Sequence, residues 1–548
     1  MKPLTFSLFL ILFSFQAFGQ SNGLSVYRIM QDHCVSCHSN ANPAANLDLE
    51  GSSTNELVSW LQVHQNVTGV TPQNSEAAAK GDQYVFPGRA DKSFLFRKLN
   101  NGLESSYSLG SGENEPMPLN GNTTMSDADK EIIRQWILFG ARTTGNQFDE
   151  EVVRTYYDVG GQQAFPDGPP PAPAADEGFQ IKMGPFFLGE GGQPGDELEF
   201  FQKWELDVPQ SEVVSLDHMF SGHSHHFIIY KYNNASSANS VADGLRTYQA
   251  HDDINLVTAV QEQTKIDLPD GAAFYWDANA ILDLNSHYIN YSFGEVYKAE
   301  TYLNVYTVPP GTASQEMHTE LIANIAINIP NNEELITAED VITSSWPNDV
   351  YLWGLMGHTH KYGRDYKVWT RENGVKSELI YDASCAEAVP GCVSPNFDYQ
   401  HIPLRLYDPF VQFNLSGSNG LIHQASWLND GPQSVFFGPT SDDEMMVLVM
   451  MYLLDTEGVN VNTEEPELPQ AGLKVFPNPM NFQTEFFADG INGESRLTLL
   501  DGLGRVIRVQ QNDRPYFRLE KNGLPSGIYF YEFSVDGFAP KSGKLVVN

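Results

Sequence analysis

The stretch Ser224-His225-His226-Phe227-Ile228-Ile229-Tyr230 is rich in β-branched and aromatic residues and predicts a β-strand with two histidines at its start. Neighbouring residues of a regular strand point to opposite faces, so two adjacent histidines that act together require a strand end or a β-bulge. Similar strand character recurs later in the chain, at residues 302–307, 366–370, 411–415 and 446–453. Short strands separated by turn signals predict β-sandwich domains.

Further histidines and one methionine follow this strand in an order that suggests metal binding. His287 stands alone, His358-Thr359-His360 has i, i+2 spacing, and Met445 comes last. The i, i+2 spacing places both rings on one face of a strand, as a chelate requires. Imidazole suits copper, and the methionine thioether is a soft donor that stabilises Cu(I). Core or surface histidines and a zinc site are the alternatives, although zinc prefers Cys, His and carboxylate ligands to Met.

These stretches resemble the ascorbate-dependent type II copper monooxygenases, the family of peptidylglycine α-hydroxylating monooxygenase and dopamine β-monooxygenase. The resemblance covers roughly residues 178–456 and fills all the ligand positions in family order. It implies two jelly-roll-like domains, 178–310 and 311–456, each with one copper ion. The implied ligands of the electron-transfer copper are His225, His226 and His287. Those of the O2-binding copper, which would carry out hydroxylation, are His358, His360 and Met445.

The chain departs from the peptide hydroxylase at the positions where that enzyme holds the substrate carboxylate. Met356 stands in place of an Arg, and Val447 and Val449 stand in place of an Asn and a Tyr. We therefore expect an apolar or uncharged substrate rather than a glycine-extended peptide. Val447 and Val449 share one face of the predicted strand, so an equally good interpretation makes both of them core residues.

Cys34-Val35-Ser36-Cys37-His38 has the spacing at which a c-type haem is attached. In this motif Cys34 and Cys37 form thioethers to the porphyrin, and His38 ligates the iron. A redox or zinc motif is the alternative, but the chain has no second CxxC to complete a zinc site. The motif therefore predicts covalently bound haem c.

Residues 20–145 as a whole resemble a bacterial cytochrome c-like domain, with Met117-Pro118 and a predicted helix at 126–141. The resemblance implies that Met117 is the distal haem ligand. Met125 is the competitor, but it lies where Ser126 should cap the start of the helix. A His/Met pair of ligands gives a relatively high reduction potential, which suits the transfer of single electrons.

Composition and an N-terminal targeting signal predict an exported protein of several domains that does not bind nucleic acid. The 548 residues suggest three or four domains, and 32 basic against 69 acidic residues give a net charge of −37. Such a charge argues against nucleic acid and anionic membranes as partners. Residues 1–19 combine Lys2, an apolar run and Ala17-Phe18-Gly19, which predicts a signal peptide and export through the periplasm.

Export would place the two remaining cysteines in an oxidising compartment, where disulfide bonds form. Cys385 and Cys392 are close together in the sequence, so we expect a disulfide bond between them. Two free thiols are the alternative. The other histidines, among them His223 and His423, are predicted to be structural or solvated.

The last segment carries a second targeting signal. Two linkers are predicted, a Pro-rich one at 146–177 and an acidic one at 457–473. Residues 474–548, which include Val475-Phe476-Pro477-Asn478-Pro479, resemble the C-terminal sorting domain of type IX secretion substrates in Bacteroidetes. The resemblance implies a small β-sandwich that the type IX secretion machinery recognises, and a secreted or cell-surface location.

The expected fold is therefore an α-helical cytochrome c domain, two β-sandwich (jelly-roll-like) copper domains and a small C-terminal β-sandwich. The expected function is that of a secreted copper-dependent monooxygenase, with two copper ions and one covalent haem c. It would hydroxylate a C–H bond of an organic substrate with O2, and the haem would relay electrons from an external donor. The alternative is an extracellular haem and copper protein that transfers electrons or binds copper without hydroxylase activity.

Overall fold

The computed structural model divides the chain into two compact units. The first comprises Met1–Ala383, Phe397–Leu406 and Val411–Val459, and the second comprises Ser384–Asn396, Tyr407–Phe410 and Asn460–Asn548. The predicted signal peptide and the pair Cys385 and Cys392 lie outside the described residues. The residues that the structure describes are 21–104, 107–119, 125–221, 223–249, 253–261, 263–332, 334–343, 349–384, 397–400, 402–438, 440, 442–460, 472–488, 493, 495–501, 505–535 and 538–548.

The beginning of the first unit is a small helical region. Its helix α5 begins as the sequence predicts, because the Ser126 side chain caps it by accepting a hydrogen bond from the Asp129 N–H. Residues 146–177, predicted to be a linker, contain both a helix and a strand. The elements are α1 (Asn22–His33), β1 (His38–Ser39), β2 (Asn42–Pro43), α2 (Glu56–Val67), α3 (Ser75–Ala79), α4 (Phe94–Leu99), α5 (Asp127–Leu138), α6 (Glu150–Asp158) and β3 (Gly161–Gln163).

Two mainly antiparallel sheets follow. The larger has the order β14-β11-β6-β13-β3, with β10 beside β6 and β4 beside β13, and the smaller has the order β8-β5-β12-β7-β9. The new elements are β4 (Gly178–Leu188), β5 (Glu197–Glu205), β6 (Ser211–Met219), β7 (Ser224–Tyr232), α7 (Ala235–Asn239), β8 (Leu245–Arg246), β9 (Ile254–Val260), β10 (Thr264–Asp267), β11 (Ala272–Trp276), β12 (Ile281–Ile289), β13 (Val296–Val308) and β14 (Gln315–Glu316).

A further pair of four-stranded sheets follows in the sequence. Their orders are β15-β24-β18-β21 and β17-β22-β19-β20, and a short β16-β23 pair accompanies them. The strands are β15 (His318–Ala323), β16 (Asn328–Ile329), β17 (Leu335–Ile342), β18 (Asp349–His358), β19 (Gly363–Glu372), β20 (Val375–Asp382), β21 (Arg405–Asn414), β22 (Gly420–Leu428), β23 (Val435–Phe436) and β24 (Val447–Leu453). The predicted strands are therefore confirmed, and the paired sheets are consistent with several β-sandwiches.

The helical region packs directly on the first pair of sheets. The Gln135 side chain of α5 donates a hydrogen bond to the Pro185 carbonyl of β4 at 2.7 Å. Lys182 of β4 forms an ion pair with Glu104 of the helical region at 2.7 Å. Both contacts are largely buried, so they fix the helices against the sheet rather than merely tethering them.

The second unit contains two small sheets at the C-terminal end, in the orders β25-β26-β29 and β28-β27-β30-β31. Alternate residues such as Phe486, Leu497 and Phe533 are buried in a common core. Among the described residues, no helix is both long enough and apolar enough to cross a membrane. The strands are β25 (Leu473–Phe476), β26 (Gln483–Ala488), β27 (Ser495–Leu500), β28 (Val506–Asn512), β29 (Tyr516–Glu520), β30 (Gly527–Val535) and β31 (Phe538–Val547).

Candidate metal centre

A β-bulge lies at the adjacent histidines of β7. Where β7 pairs with β12, His226 stands opposite His287 and Ser224 stands opposite Tyr288. His225 is therefore the extra residue, with no partner across the ladder. The bulge confirms the prediction that two neighbouring histidines need an interruption of the strand in order to act together.

Two glutamates of β5 hold the histidines of β7 and β12. Glu197 lies 3.0 Å from His287 Nε2, and Glu199 lies 3.4 Å from His226 Nε2. Asn285 also accepts from His226 Nε2 at 2.9 Å. Metal-ligating histidines commonly donate their second ring nitrogen to such partners, which leaves Nδ1 of both rings for an ion.

The second group of histidines lies at the end of β18. His358 is the last residue of the strand and His360 lies two residues later, with their ring centroids 5.1 Å apart. His360 Nδ1 is 3.2 Å from the Asp443 carbonyl oxygen, so its Nε2 is the nitrogen left for an ion. Gly357 is required here because a side chain at this position would collide with the Tyr366 ring, 2.5 Å from the place of a Cβ atom.

Both groups meet at His225. The donor atoms of His225, His226 and His287 lie within 4.8 Å of one another, and those of His225, His358 and His360 do so as well. The ring centroid of His225 is 5.3 Å from that of His287 and 5.9 Å from that of His358. The five predicted histidines thus form one cluster, and its two triads could each hold a metal ion.

Burial keeps these imidazoles in the form that binds metals. Together with the neighbouring imidazoles, it lowers the pKa of His225 and of His358 well below the ordinary value. Burial also lowers the pKa of His360 to about 4. All three rings are therefore neutral at pH 7, and an ion need not displace a proton from the nitrogen that it binds.

Met445 borders a cavity that His226, His358 and His360 also border. The cavity has a volume of about 190 Å³. The predicted substrate positions Met356, Val447 and Val449 also border it, and all three are buried. The structure therefore brings the predicted substrate positions to the same cavity as three of the predicted histidines and Met445.

A buried carboxylate that the sequence did not single out organises the second triad. Glu444 accepts hydrogen bonds from the His360 N–H at 2.9 Å, from the Tyr362 N–H at 2.7 Å and from Trp427 Nε1 at 2.9 Å. Burial raises the pKa of Glu444 to about 7, against the effect of these donors. Position 444 adjoins Met445, so one side chain links the loop of His360 to the methionine.

The glutamates of β5 were also missed at the sequence level. Their only signal is Glu197-Leu198-Glu199, an acidic pair at strand spacing, which is common on solvent-facing strands. Although burial would raise the pKa of Glu199, its hydrogen bond to His226 keeps that pKa below the ordinary value. The carboxylate is therefore charged, and it strengthens His226 as a donor to a cation.

The CxxCH motif has donor atoms that suit haem attachment. The Cys37 and His38 N–H groups both donate to the Cys34 carbonyl, so the motif forms a tight turn after α1. His38 Nδ1 is 3.2 Å from the Leu47 carbonyl oxygen, which leaves Nε2 free for iron. Both cysteines are free thiols, and burial raises the pKa of Cys34 to about 12. A catalytic redox CxxC lowers that pKa instead.

The two methionines considered for the distal position differ in burial. Met117 is partly buried, and its N–H donates to the Lys98 carbonyl at 2.8 Å. Met125 is buried immediately before the Ser126 cap of α5. Neither contact involves the thioether sulfur, so haem c and its distal ligand Met117 stay predictions.

Comparisons with known proteins assign no family. No protein-family description and no curated protein matches the chain. A solved structure of PorZ, an essential bacterial surface component of the type-IX secretion system of Porphyromonas gingivalis, is 16% identical over 18% of this chain, with a TM-score of 0.13. The β-glucuronidase of Ruminococcus gnavus is 8% identical over 39%, with a TM-score of 0.11. The matches span 14% and 34% of those two chains.

Proposed function

We propose that this protein is a secreted copper-dependent monooxygenase that hydroxylates a C–H bond of a small organic substrate with O2. The observation that carries the proposal is the meeting of five histidines in one cluster, beside a cavity that Met445 also borders. Imidazole with a thioether is a donor set that suits copper in both oxidation states. Copper, when bound, supplies the redox chemistry with O2.

The residues of the chain would have three tasks in this reaction. Glu197 and Glu199 hold the rings of His287 and His226, so that an ion meets a fixed set of nitrogens. Glu444 holds the loop of His360 in the same way. The buried apolar residues of the cavity keep bulk water away from the reacting centre and leave room for a substrate.

The relay of electrons through the predicted haem has support in the packing of the helical region. Ring contacts lead from Phe139, which follows α5, through Phe200 and Phe186 to Tyr288. The successive centroid distances are 6.3, 4.1 and 5.2 Å. Tyr288 adjoins His287, so this packed path joins the two regions between which electrons would move.

The cavity favours a substrate without charge. Apolar cavities of about 150 Å³ bind a molecule the size of benzene, and this cavity measures about 190 Å³. Met356, Val447 and Val449 offer no partner to a carboxylate, whereas burial of apolar surface contributes about 25 cal/mol per Å². A neutral molecule with one ring or a short aliphatic chain therefore fits the site better than a peptide C-terminus.

The test combines metal analysis with turnover. The purified chain should bind copper and, when reduced, consume O2 faster with neutral aromatic or aliphatic compounds than with a glycine-extended peptide, giving a product with one added oxygen atom. His360→Gln should abolish this turnover. His318→Gln is the matched control, because His318 lies on β15 outside both triads.

The outcomes separate the proposal from its alternative. Copper binding without any hydroxylated product would favour an extracellular electron-transfer or copper-binding protein. Efficient turnover of the peptide would refute the apolar substrate while leaving the copper assignment intact. A reduced haem that never reduces bound copper in stopped-flow absorbance would refute the relay.

Secretion is part of the same proposal. The signal peptide at 1–19 and the sorting domain at 474–548 would direct the chain through the periplasm and the type IX secretion machinery. Removal of residues 474–548 should leave the protein inside the cell envelope, and fractionation of cells with an antibody against the first unit would detect this.

A further inference from the structure

Within the described part of the chain, the two ring nitrogens of His225 lack the hydrogen bonds that buried polar atoms normally make. Both are buried, and neither has a hydrogen-bond partner among the described residues. His226, His287 and His360 differ, because each has one ring nitrogen close to a carbonyl, amide or carboxylate oxygen. A buried polar group without a partner costs about 1–3 kcal/mol. We therefore expect each of the two ring nitrogens of His225 to have a partner.

Ligation normally uses only one nitrogen of a histidine ring. The other nitrogen carries a proton and donates it to a protein oxygen, as the geometry of His226, His287 and His360 allows. At His225 no such oxygen is present among the described residues, yet the residue belongs to both triads. Because of the bulge in β7, His225 has no partner across the ladder, whereas Ser224 and His226 on either side of it are paired with β12.

We infer that His225 bridges two copper ions, one held with His226 and His287 and the other with His358 and His360. This inference rests on the proposed copper sites and adds that the two ions share one ligand. One ion binds each ring nitrogen, and the second ion replaces the ring N–H proton, which leaves to solvent. The two predicted sites are then one dinuclear centre rather than two independent ones.

The bridge has a magnetic signature that does not depend on activity. Two Cu(II) ions that share one deprotonated imidazole are exchange-coupled through its ring, whereas ions with separate ligands are not. The full-length protein is loaded with Cu(II), freed of excess metal and analysed for copper content and for spin by low-temperature electron paramagnetic resonance. Spin from ferric haem is counted separately. We expect two copper ions per chain and a copper spin count well below the copper content.

The three possible results have distinct meanings. Two copper ions per chain with a full, uncoupled spin count would overturn the bridge and leave the proposed two-copper enzyme intact. Fewer than two copper ions per chain would overturn both the bridge and the two-copper proposal. Two ions with reduced spin support both.

Replacement of the bridge tests the role of the ring itself. His225→Ala should lose copper, and added imidazole should restore both copper content and coupling because it offers two donor nitrogens. Added 1-methylimidazole has only one donor nitrogen, so it should restore copper content without coupling. Equal restoration by both compounds, with uncoupled spins, would overturn the inference. His318→Gln, whose residue lies outside both triads, should retain the copper content and coupling of the unaltered protein.

Discussion

Replacement of Glu444 with alanine tests how far the second triad depends on a residue that is not itself a predicted ligand. The carboxylate accepts hydrogen bonds from three buried donors, the N–H groups of His360 and Tyr362 and the indole of Trp427, and also from the partly buried N–H of the neighbouring Met445. Glu444, His360 and Tyr362 are all shielded from solvent to a large degree. In Glu444→Ala these three donors would keep their positions in the protein but lose their acceptor.

The size of the effect follows from the number of donors. A buried donor without an acceptor costs about 1–3 kcal/mol, so three donors set a range of about 3–9 kcal/mol. Removal of a buried carboxylate, whose pKa burial raises to about 7, recovers part of that cost. We therefore expect Glu444→Ala to lower the free energy of unfolding of the first unit by about 3–5 kcal/mol. Copper affinity should fall by roughly 10–100-fold, as for other partners of metal ligands.

The assay is urea unfolding of the apo protein followed by tryptophan fluorescence, together with a competitive copper titration. Glu444→Gln keeps one acceptor oxygen, so its loss of stability should be smaller than that of the alanine variant. Glu457→Ala is the control, because the Glu457 side chain is exposed in the same unit. A loss below about 1 kcal/mol with unchanged copper affinity would refute the argument, since three unpaired donors could not then be present.

Three further predictions concern the other parts of the first unit. Met445→Ile should preserve the fold and abolish hydroxylation, because it keeps the bulk but removes the thioether; normal turnover with full copper content would contradict this. Cys37→Ala should leave haem held by at most one thioether, so haem staining of the denatured protein on a gel should largely disappear. Arg97 keeps the pKa of Glu113 at about 2, below the ordinary 4.5, so its stabilisation is present above pH 4.5 and lost as the pH falls through 2. Glu113→Gln should flatten that acid loss in urea unfolding, and an unchanged pH profile would refute the assignment.

Local features of the fold were predictable because they depend on neighbouring residues. Two adjacent histidines cannot share one face of a regular strand, and the structure places a bulge at His225. Ser126 was predicted as a helix cap because serine accepts a hydrogen bond from the N–H of N3, here that of Asp129. The strands β7 and β24 were predictable from their β-branched and aromatic composition.

Contacts between strands and loops that are distant in sequence were not predictable. Glu199 of β5 and His287 of β12 lie opposite each other in the sheet, although they are 88 positions apart in the sequence. Glu444 accepts a hydrogen bond from the N–H of His360, although the two residues are 84 positions apart in the sequence. Charged residues at such positions usually indicate a solvated surface, and only tertiary packing turns them into supports for a metal ligand.

The bulge of β7 was predictable from the sequence, but the close approach of the second pair of histidines to His225 was not. A sequence can require that His225 and His226 leave the regular alternation, but it does not say which second set of ligands the displaced residue meets. In the structure His226 stays opposite His287, while His225, without a partner on β12, belongs to the triad of His358 and His360 as well. The extra residue of the bulge thus allows a single histidine to belong to both triads, and a deletion that restored the regular ladder would separate them.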